Sequence, residues 1–547
     1  MVVTPHAMCH IKGEITHQRA TTSAILAALA TFSLAASALG ASGELRVEAR
    51  ANPDFLDPAL AYDPLSWQIM AATQGGLLAF RRDSGASGAT LVPDLAEALP
   101  ATSRDGRTLT FTLRDDVRFA PPVSRPAMAS DVKASLERML WLDSRGADLY
   151  RSITGAGDVI AHRSRVLRGA IADDAKRTVV LSLTRRDPVL AQALALPFAS
   201  VLPRGTKPVD QTVDLPPGIG AYVVSGFSPD ASVTLTPNSA FEARDGLPQG
   251  KAARITIAIG RSARAAASRV AAGDADYSTT AVPPSATQAG GYARGATANV
   301  VSQSATAYVA IDCTQAPFTS AGVRRAVGLA LDRTAAARAV ATGARPTARM
   351  IPPGTPGSRA VATSPNASAA RSLVSAAGAT GRRVTLWTGS TAVERAIAPQ
   401  VRDALTRAGL SPVVRTLPRN SGLGRSAPRA AIATALWTQT TPDGSDAYAQ
   451  LLGARAPGTP ANPPFPAITG DRSLKLAARA AGNASLGSER DTAWAQVDAR
   501  AVADGRAIPV VTPIQVQVTA PGVSGVTVNP VLGVLLGAMQ PGSTPSN

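Results

Sequence analysis

Histidine, cysteine, lysine and aromatic residues are all scarce in this chain of 547 residues. Three of its four histidines fall in the first 20 residues, which leaves only His162 for the remainder. One histidine cannot build a multi-histidine zinc site or an H-E-x-x-H motif. A Ser-His-Asp triad would need His162 as well, and the chain has no G-x-S-x-G motif. We therefore expect no metal, no cofactor and no enzymatic activity.

The positive charge of the chain does not indicate a nucleic-acid partner. The net charge is +17, yet only six of the 55 basic residues are lysines, and the arginines are spread over the whole chain without a long basic run. Aromatic residues make up 4% of the chain, so no platform for stacking single-stranded bases is present. We expect no nucleic-acid binding.

The N-terminus has the pattern of a secretory signal. Residues 21–42 are uncharged and largely apolar, and two basic residues precede them. The apolar stretch is slightly short for a bilayer core of about 30 Å, which favours cleavage between Ala38 and Gly43 over a retained anchor. We therefore assign residues 1–42 as a signal peptide, with an uncleaved anchor as the alternative, and expect an exported protein.

Beyond the signal, the chain alternates between strand-like and helix-like segments. Apolar residues at every second position predict strands, and apolar residues at helical spacing, flanked by capping residues, predict helices. The predicted strands span 45–49, 105–119, 177–188, 253–260, 306–312, 382–388 and 427–437, and the predicted helices span 66–78, 130–142, 261–277, 322–342 and 393–409. This alternation indicates α/β domains in which helices cover the sheets.

A series of sequence blocks, in a fixed order, resembles a family of transport receptors. The longest block is LVPDLAEALPATSRDGRTLTFTLRDDVRFAPP, at Leu91–Pro122. The others are LRVEARANPDFLDPAL, QGGLLAF, PPGIGAYVV, AGDADY, APFTSAGVRRAVGLALDR, IPPGTPG and AIPVVTP. Together they resemble the extracytoplasmic solute-binding proteins of the peptide, nickel and opine class of ABC importers, which is solute-binding protein family 5.

The resemblance implies an α/β fold of the two-lobed periplasmic-binding-protein type (class II, cluster C), with an extra inserted subdomain in the first lobe. By analogy, the first lobe comprises residues 44–75, 190–300 and 509–547. Its insertion comprises residues 76–189, and the second lobe residues 301–508. The implied function is that of a monomeric receptor, which captures a peptide or other small polar solute by hinge closure and delivers it to an ABC permease.

Two other functions stay open at this stage. One is a surface or sensory protein on the same fold that is not coupled to import. The other is a secreted enzyme, which the single body histidine disfavours.

The resemblance also implies where a ligand binds. In this family the cleft is lined from the first lobe by the turn after the Leu-Asp-Pro element, and from the second lobe by a strand that ends in a tryptophan and by the residues after it. The corresponding residues are Tyr62, Asp63, Pro64, Trp437, Thr438, Gln439, Thr440 and Asp443. A surface turn at the first position and a core tryptophan at the second are the alternative interpretations.

One position departs from the family pattern. Peptide-binding members commonly have an aspartate three residues after that tryptophan, where it neutralises the α-amino group of the peptide, and here the residue is Thr440. Unless Asp443 or Asp63 replaces it, a modified peptide, sugar, opine-like or other polar ligand is favoured over a free peptide N-terminus. With one histidine in the body, a nickel chelate is not favoured.

Overall fold

The structure is a computed structural model, and it describes residues 43–282, 296–302, 304–341, 344–417, 431–451 and 471–542. The predicted signal peptide, residues 1–42, lies outside the described residues. Within the described ranges, no helix is long and apolar enough to cross a membrane.

Strands and helices alternate along the described chain, which confirms the predicted α/β class. The strands are β1 Glu44–Glu48, β2 Leu78–Phe80, β3 Leu91–Pro93, β4 Ala101–Thr102, β5 Thr108–Thr112, β6 Ala170–Asp173, β7 Thr178–Ser182, β8 Tyr222–Ser228, β9 Ser232–Pro237, β10 Arg254–Ala258, β11 Tyr277–Val282, β12 Thr297–Ser302, β13 Ala305–Ile311, β14 Arg345–Pro346, β15 Arg383–Thr388, β16 Ser411–Thr416, β17 Ile432–Thr438, β18 Ala507–Thr512, β19 Ile514–Thr519, β20 Val528–Asn529 and β21 Gly533–Val534. The helices are α1 Pro64–Thr73, α2 Gly85–Gly88, α3 Ala129–Trp141, α4 Ala156–Ile160, α5 Leu190–Ala193, α6 Ala263–Ala272, α7 Ala321–Ala330, α8 Arg333–Val340, α9 Ala367–Ala376, α10 Ala392–Arg407, α11 Gly444–Leu451, α12 Arg472–Asn483 and α13 Ser488–Ala503.

Most predicted elements are present, and the local capping groups explain where their ends differ. Helix α1 begins two residues earlier than predicted because Asp63 caps it and Pro64 occupies its first turn. The single helix predicted over 322–342 is two helices, α7 and α8. The side chain of Asp332 accepts a hydrogen bond from the Ala335 N–H and so begins the second of them. Helix α6 ends at Ala272, earlier than the predicted 277, because its C-cap Gly273 adopts a left-handed backbone with φ of +81°.

The first large sheet has seven strands in the order β12-β19-β11-β1-β10-β9-β8. Strand β1 is parallel to β10 and β11, and β19 is antiparallel to β11 and β12. The large apolar core on this sheet includes Leu45 and Val47, the alternating residues of β1, together with the apolar face of α1. A smaller apolar cluster packs α6 against β11 and β19. The sheet therefore joins strands from both ends of the chain.

The second large sheet has six strands in the order β14-β18-β13-β17-β15-β16. Apolar side chains of α7 to α10 pack in one core cluster on this sheet. Side chains of α11 to α13 pack in a separate cluster. Along β17 the two clusters alternate, because Ile432 belongs to the first and Ala433 and Ala435 to the second. Successive residues of a strand point to opposite faces, so the sheet is covered by helices on both sides.

Two short connections join the two sheets. Strand β12 ends at Ser302 and β13 begins at Ala305, while only Pro513 separates β18 from β19. Strand β12 therefore leads directly into β13, and β18 leads directly into β19. In the first sheet β12 pairs with β19, and in the second sheet β13 pairs with β18. The second lobe was predicted to end at residue 508, whereas β18 lies in the second sheet up to Thr512. We therefore move the proposed boundary to Pro513.

A separate four-stranded sheet lies within residues 76–189, the segment proposed as an insertion. Its strand order is β4-β5-β7-β6, and α3 packs beside β6 and β7. A buried ion pair between Arg138 of α3 and Asp57, which follows β1, joins this segment to the first lobe. The side chain of Arg138 is 5% exposed and that of Asp57 is fully buried. The Leu-Asp-Pro element therefore has a structural role as well as leading into the turn at Tyr62.

Candidate ligand-binding cleft

A large cavity lies where the two sheets meet, with a volume of about 780 Å³. Its first-lobe wall is formed by the residues after β1, the start of α1, parts of β11 and β19, and the segment 528–534. Its second-lobe wall is the end of β17 and the residues that follow it. A volume of this size is typical of sites for small molecules and short peptides.

Six of the eight predicted site residues line this cavity. They are Tyr62, Asp63, Pro64, Thr438, Gln439 and Thr440. The structure thus brings together two segments that are far apart in the sequence. The other two predicted residues, Trp437 and Asp443, do not line the cavity.

Trp437 is a core residue. Its side chain is 2% exposed and packs in the cluster that contains Tyr308, Tyr448 and Trp494. Its neighbours in the sequence, Leu436 and Thr438, line the cavity. Since successive side chains of a strand alternate between its faces, a cavity that meets Leu436 and Thr438 lies on the face opposite Trp437. The expectation that Trp437 lines the cleft is therefore corrected.

Asp443 is held in a buried ion pair below the cleft. Its two carboxylate oxygens accept hydrogen bonds from Nε and Nη2 of Arg490, at 2.6 and 2.8 Å. The Arg490 side chain is 1% exposed, and the Asp443 side chain 4%. Its charge is already neutralised, so Asp443 cannot replace the carboxylate that is missing at Thr440.

Tyr62 bridges the two walls of the cavity. Its hydroxyl group and that of Thr440 are hydrogen-bonded to one another. Its ring stacks on Phe198, with a centroid distance of 6.3 Å, and the Arg145 guanidinium lies 5.1 Å from the ring centroid. Burial raises the pKa of the Tyr62 hydroxyl, so it stays a neutral hydrogen-bonding group. First-lobe and second-lobe residues are therefore in direct contact beside the cavity.

Asp63 is the helix cap of α1. Its Oδ1 accepts a hydrogen bond from the Ser66 N–H at 2.7 Å, and its Oδ2 accepts one from the Asp54 N–H at 2.8 Å. Burial raises the pKa of the Asp63 carboxyl. Both oxygens are thus occupied by backbone donors, and the carboxylate serves the fold at the edge of the cavity.

Gln439 is held in place by one hydrogen bond through its backbone and one through its side chain. Its N–H donates to the Ser304 carbonyl oxygen at 2.8 Å, which ties it to the connection between the sheets. Its Oε1 accepts a hydrogen bond from the Thr355 hydroxyl at 2.7 Å. Among the described residues its buried Nε2 has no partner. An unpaired buried donor in the wall of a cavity is a candidate hydrogen-bonding group for a ligand.

Several wall residues were not identified from the sequence. Gln515 and Gln517 line the cavity from β19, and Gln68 lines it from α1. The sequence of β19, IQVQVT, places both glutamines on one face, and this polar alternation was the signal that could have revealed them. The segment 528–534 gave no such signal, because its position depends on the packing of the chain end.

Asp446 was also missed, and it lies directly below the cleft floor. Its Oδ2 accepts hydrogen bonds from the N–H groups of Thr440 and Thr441, at 2.6 and 3.3 Å. Burial, with a smaller contribution from the charge of Asp443, raises the pKa of the Asp446 carboxyl to about 7. The buried acid therefore fixes the backbone at Thr440.

The replacement Asp446→Asn should reduce the dependence of stability on pH. The raised pKa means that the folded protein stays protonated at Asp446 up to about pH 7, whereas an unfolded aspartate ionises near pH 4. The stability contributed by this group is therefore complete below about pH 4 and is lost as the pH rises through about 7. Asparagine keeps an acceptor oxygen for both N–H groups and does not ionise.

Denaturant unfolding at pH 5 and at pH 8 measures this effect. The difference in stability between the Asn variant and the unmodified protein should shift in favour of the variant from pH 5 to pH 8, because only the unmodified protein loses stability from this group over that range. Asp403→Asn on the exposed face of α10 is the matched control and should show no such change. If the Asn variant and the unmodified protein differed in free energy of unfolding by the same amount at both pH values, the raised pKa of Asp446 would be contradicted.

A cavity lined from two sheets, with two short connections between them, defines a two-lobed α/β binding protein. The family model for bacterial extracellular solute-binding proteins, family 5, middle region, matches residues 90–458. The chain therefore belongs to this family of binding proteins, as the sequence blocks predicted.

Individual relatives agree with this family. The chain is 28% identical over 357 residues to Di/tripeptide-binding protein 1 of Pseudomonas aeruginosa (strain UCBPP-PA14), which covers 61% of this chain and 64% of that protein. It is 28% identical over 344 residues to Di/tripeptide-binding protein 2 of the same strain, which covers 59% of this chain and 61% of that protein. The match thus spans less than two thirds of the length of these relatives.

Solved structures share the fold over almost the whole chain. Clavulanic acid biosynthesis oligopeptide binding protein 2 superposes with a TM-score of 0.79 at 24% identity, covering 92% of this chain and 96% of that one. The unliganded open form of MppA, a periplasmic murein tripeptide binding protein, has a TM-score of 0.74 at 20% identity and covers 91% of this chain and 97% of that one. These similarities confirm the two-lobed fold.

Proposed function

We propose that the protein is the exported receptor of an ABC importer and acts as a monomer. It would capture a peptide or another small polar solute and deliver it to a permease in the cytoplasmic membrane. The observation that carries this proposal is the cavity of about 780 Å³ between the two sheets of a family 5 binding protein. The relatives named as di/tripeptide-binding proteins support a peptide-like ligand.

The mechanism of capture would be hinge closure at the two connections between the sheets. A ligand in the cavity, beside the Tyr62–Thr440 contact, touches the walls of both lobes at once, so it binds a closed arrangement better than an open one and shifts the population towards it. The two connections, between Ser302 and Ala305 and at Pro513, join the sheets over a few residues and would allow the rotation. Closure of the lobes would then be the signal that the permease recognises.

The positions of His162 and Cys313, the histidine and the cysteine of the described chain, support binding without catalysis. His162 is exposed and lies on the inserted segment, 3.4 Å from Asp143 and against the Trp141 ring. Cys313 packs against the core of the second lobe, and burial raises the pKa of its thiol. Neither side chain lines the cavity, so neither an imidazole nor a thiol faces it from the described wall.

The charge of the wall favours a ligand without a buried ammonium group. The charged residues that line the described cavity are Arg50 and Asp63, and Asp63 is occupied as a helix cap. No aspartate or glutamate occurs in the undescribed segments after residue 42. An ammonium removed from water without a counter-charge is costly. We therefore propose an N-blocked peptide, or an uncharged polar solute, held by glutamine and hydroxyl groups.

Binding of matched tripeptides with free and acetylated N-termini tests the proposal. By calorimetry, the unmodified protein should bind the acetylated form at least as tightly as the free form. The replacement Thr440→Asp introduces a carboxylate at the cleft floor and should raise the affinity for the free form by about tenfold or more, since a close charge pair contributes about 1.5 kcal/mol or more. Thr440→Asn is the control, because asparagine has a shape similar to that of aspartate and no charge. This variant should not raise the affinity for the free form.

The outcomes separate the two parts of the proposal. A tenfold preference of the unmodified protein for the free tripeptide would overturn the charge argument while supporting a peptide receptor. Failure to bind either form, together with binding of an uncharged sugar, would overturn the peptide class and keep the charge argument. Failure of a panel of peptides, opines and oligosaccharides to raise the unfolding midpoint would contradict the receptor function itself.

A further inference from the structure

A second, smaller cavity lies inside the first lobe, away from the cleft. Its volume is about 50 Å³, and it is lined by the C-terminal end of α1, the start of β8 and the residues 535–538. It shares no lining residue with the cleft. Two arginines and one aspartate, Arg82, Arg244 and Asp94, are the charged residues in its described wall. The three side chains together have a net charge of +1.

Asp94 and Arg244 form a buried ion pair within this wall. Nη2 of Arg244 donates to Oδ1 of Asp94, and the two side chains are 8% and 3% exposed. The second oxygen of Asp94 accepts a hydrogen bond from the Gly76 N–H at 3.1 Å. Both oxygens of Asp94 are therefore occupied. Nε of Arg244 is buried and has no partner among the described residues.

Arg82 has no counter-charge of its own. In the described structure its guanidinium group makes one hydrogen bond, from Nη1 to the Phe80 carbonyl oxygen, at 3.5 Å. The preceding residue, Arg81, differs in this respect, because it forms two hydrogen bonds with the Asp245 carboxylate at 2.7 and 3.1 Å. Burial lowers the pKa of Arg82 to about 10. A guanidinium carries five N–H donors, so most of those on the partly buried Arg82 have no acceptor within the described protein.

We propose that this cavity binds a small monovalent anion, of the size of chloride, nitrate or formate, between Arg82 and Arg244. The anion would supply the charge that Asp94 cannot give to both arginines, and it would accept hydrogen bonds from Arg82 and from Nε of Arg244. One water needs roughly 10–15 Å³ of such a cavity, so about 50 Å³ admits an anion of this size together with water. The water can meet Oε1 of Gln74, which also lacks a partner in this wall.

This site is independent of the proposed transport function. It lies within one lobe, and none of its lining residues lines the cleft. Its effect is on the first lobe, where an anion bound only by the folded protein raises the unfolding midpoint by mass action.

Thermal unfolding of the purified protein in different sodium salts, at equal ionic strength, tests the proposal. Chloride, nitrate and formate should raise the midpoint relative to gluconate, which is too large for the cavity. The replacement Arg82→Met should abolish that rise. Arg81→Met, which removes an adjacent arginine that is paired with Asp245 outside the cavity, is the matched control and should retain the rise, since general salt effects are common to all three proteins.

The direction in which Arg82→Met changes the unfolding midpoint in gluconate is a second readout. There, Arg82→Met removes a cation that has no partner, so its midpoint should not fall below that of the unmodified protein. The proposal would be overturned if the unfolding midpoints of Arg82→Met and Arg81→Met depended equally on the anion. It would also be overturned if Arg82→Met lowered the midpoint by the same amount in every salt. If the Met variant does not fold, the unmodified protein crystallised in bromide decides the question, because the absence of an anomalous peak between Arg82 and Arg244 would refute the site.

Discussion

Replacing Asp443 by alanine should lower the free energy of unfolding by about 3–5 kcal/mol. The variant leaves Arg490 as a buried cation without its counter-charge, at a position where 1% of the side chain is exposed. Arg490 also donates from Nη1 to the carbonyl oxygens of Ala481, Gly482 and Ala484, at 2.8 to 2.9 Å. It therefore fastens the C-terminal end of α12 to α13, and a cation at that end also interacts favourably with the helix dipole.

Denaturant unfolding of the Asp443→Ala variant measures this loss. Asp403→Ala, in an exposed ion pair with Arg402 of the same lobe, is the matched control and should change the free energy by less than about 1 kcal/mol. Asp443→Asn keeps an acceptor for one Arg490 donor and should lie between the two. If Asp443→Ala were as stable as the control but bound ligand more weakly, the structural role would be wrong and the predicted ligand role restored.

Replacing Trp437 by alanine should cost about 3–5 kcal/mol of stability, as is usual when a large buried aromatic side chain is removed. Trp437 is 2% exposed and packs with Tyr308, Tyr448 and Trp494, which link β13 and β17 to α11 and α13. The cavity left by an indole ring cannot collapse easily between a sheet and two helices. This expectation follows from the alternative interpretation of Trp437 as a core tryptophan, and not from its assignment to the cleft.

The matched control for Trp437 is Trp387→Ala, in the same sheet. Trp387 is only partly buried and packs at the edge of the same cluster, so its loss should be clearly smaller. Unfolding curves and ligand affinities of both variants, measured on the folded fraction, separate stability from binding. A stable Trp437→Ala variant with reduced affinity would return Trp437 to the cleft.

The sequence predicted the segments that line the cavity, and the structure shows which residues of those segments face it. The turn at Tyr62 and the end of β17 line one cavity, as the family resemblance implied. Which neighbouring residue faces the cavity depends on the face of β17 that meets it, and Trp437 was assigned to the wrong face. Asp446 was missed because no local motif marks it, whereas the two glutamines of β19 were missed although their alternation in the strand was a usable signal.

The sequence by itself determined the order of strands and helices, the family, and the scarcity of histidine that argues against hydrolytic chemistry. These properties depend on residue type and on spacing along the chain, which are local. Only the tertiary structure decided that Asp443 pairs with Arg490, that Tyr62 meets Thr440, and that Arg82 lacks the partner its neighbour Arg81 has. Each of these depends on which distant segments pack together, and the energy of a buried charge is set by those neighbours rather than by its own sequence context.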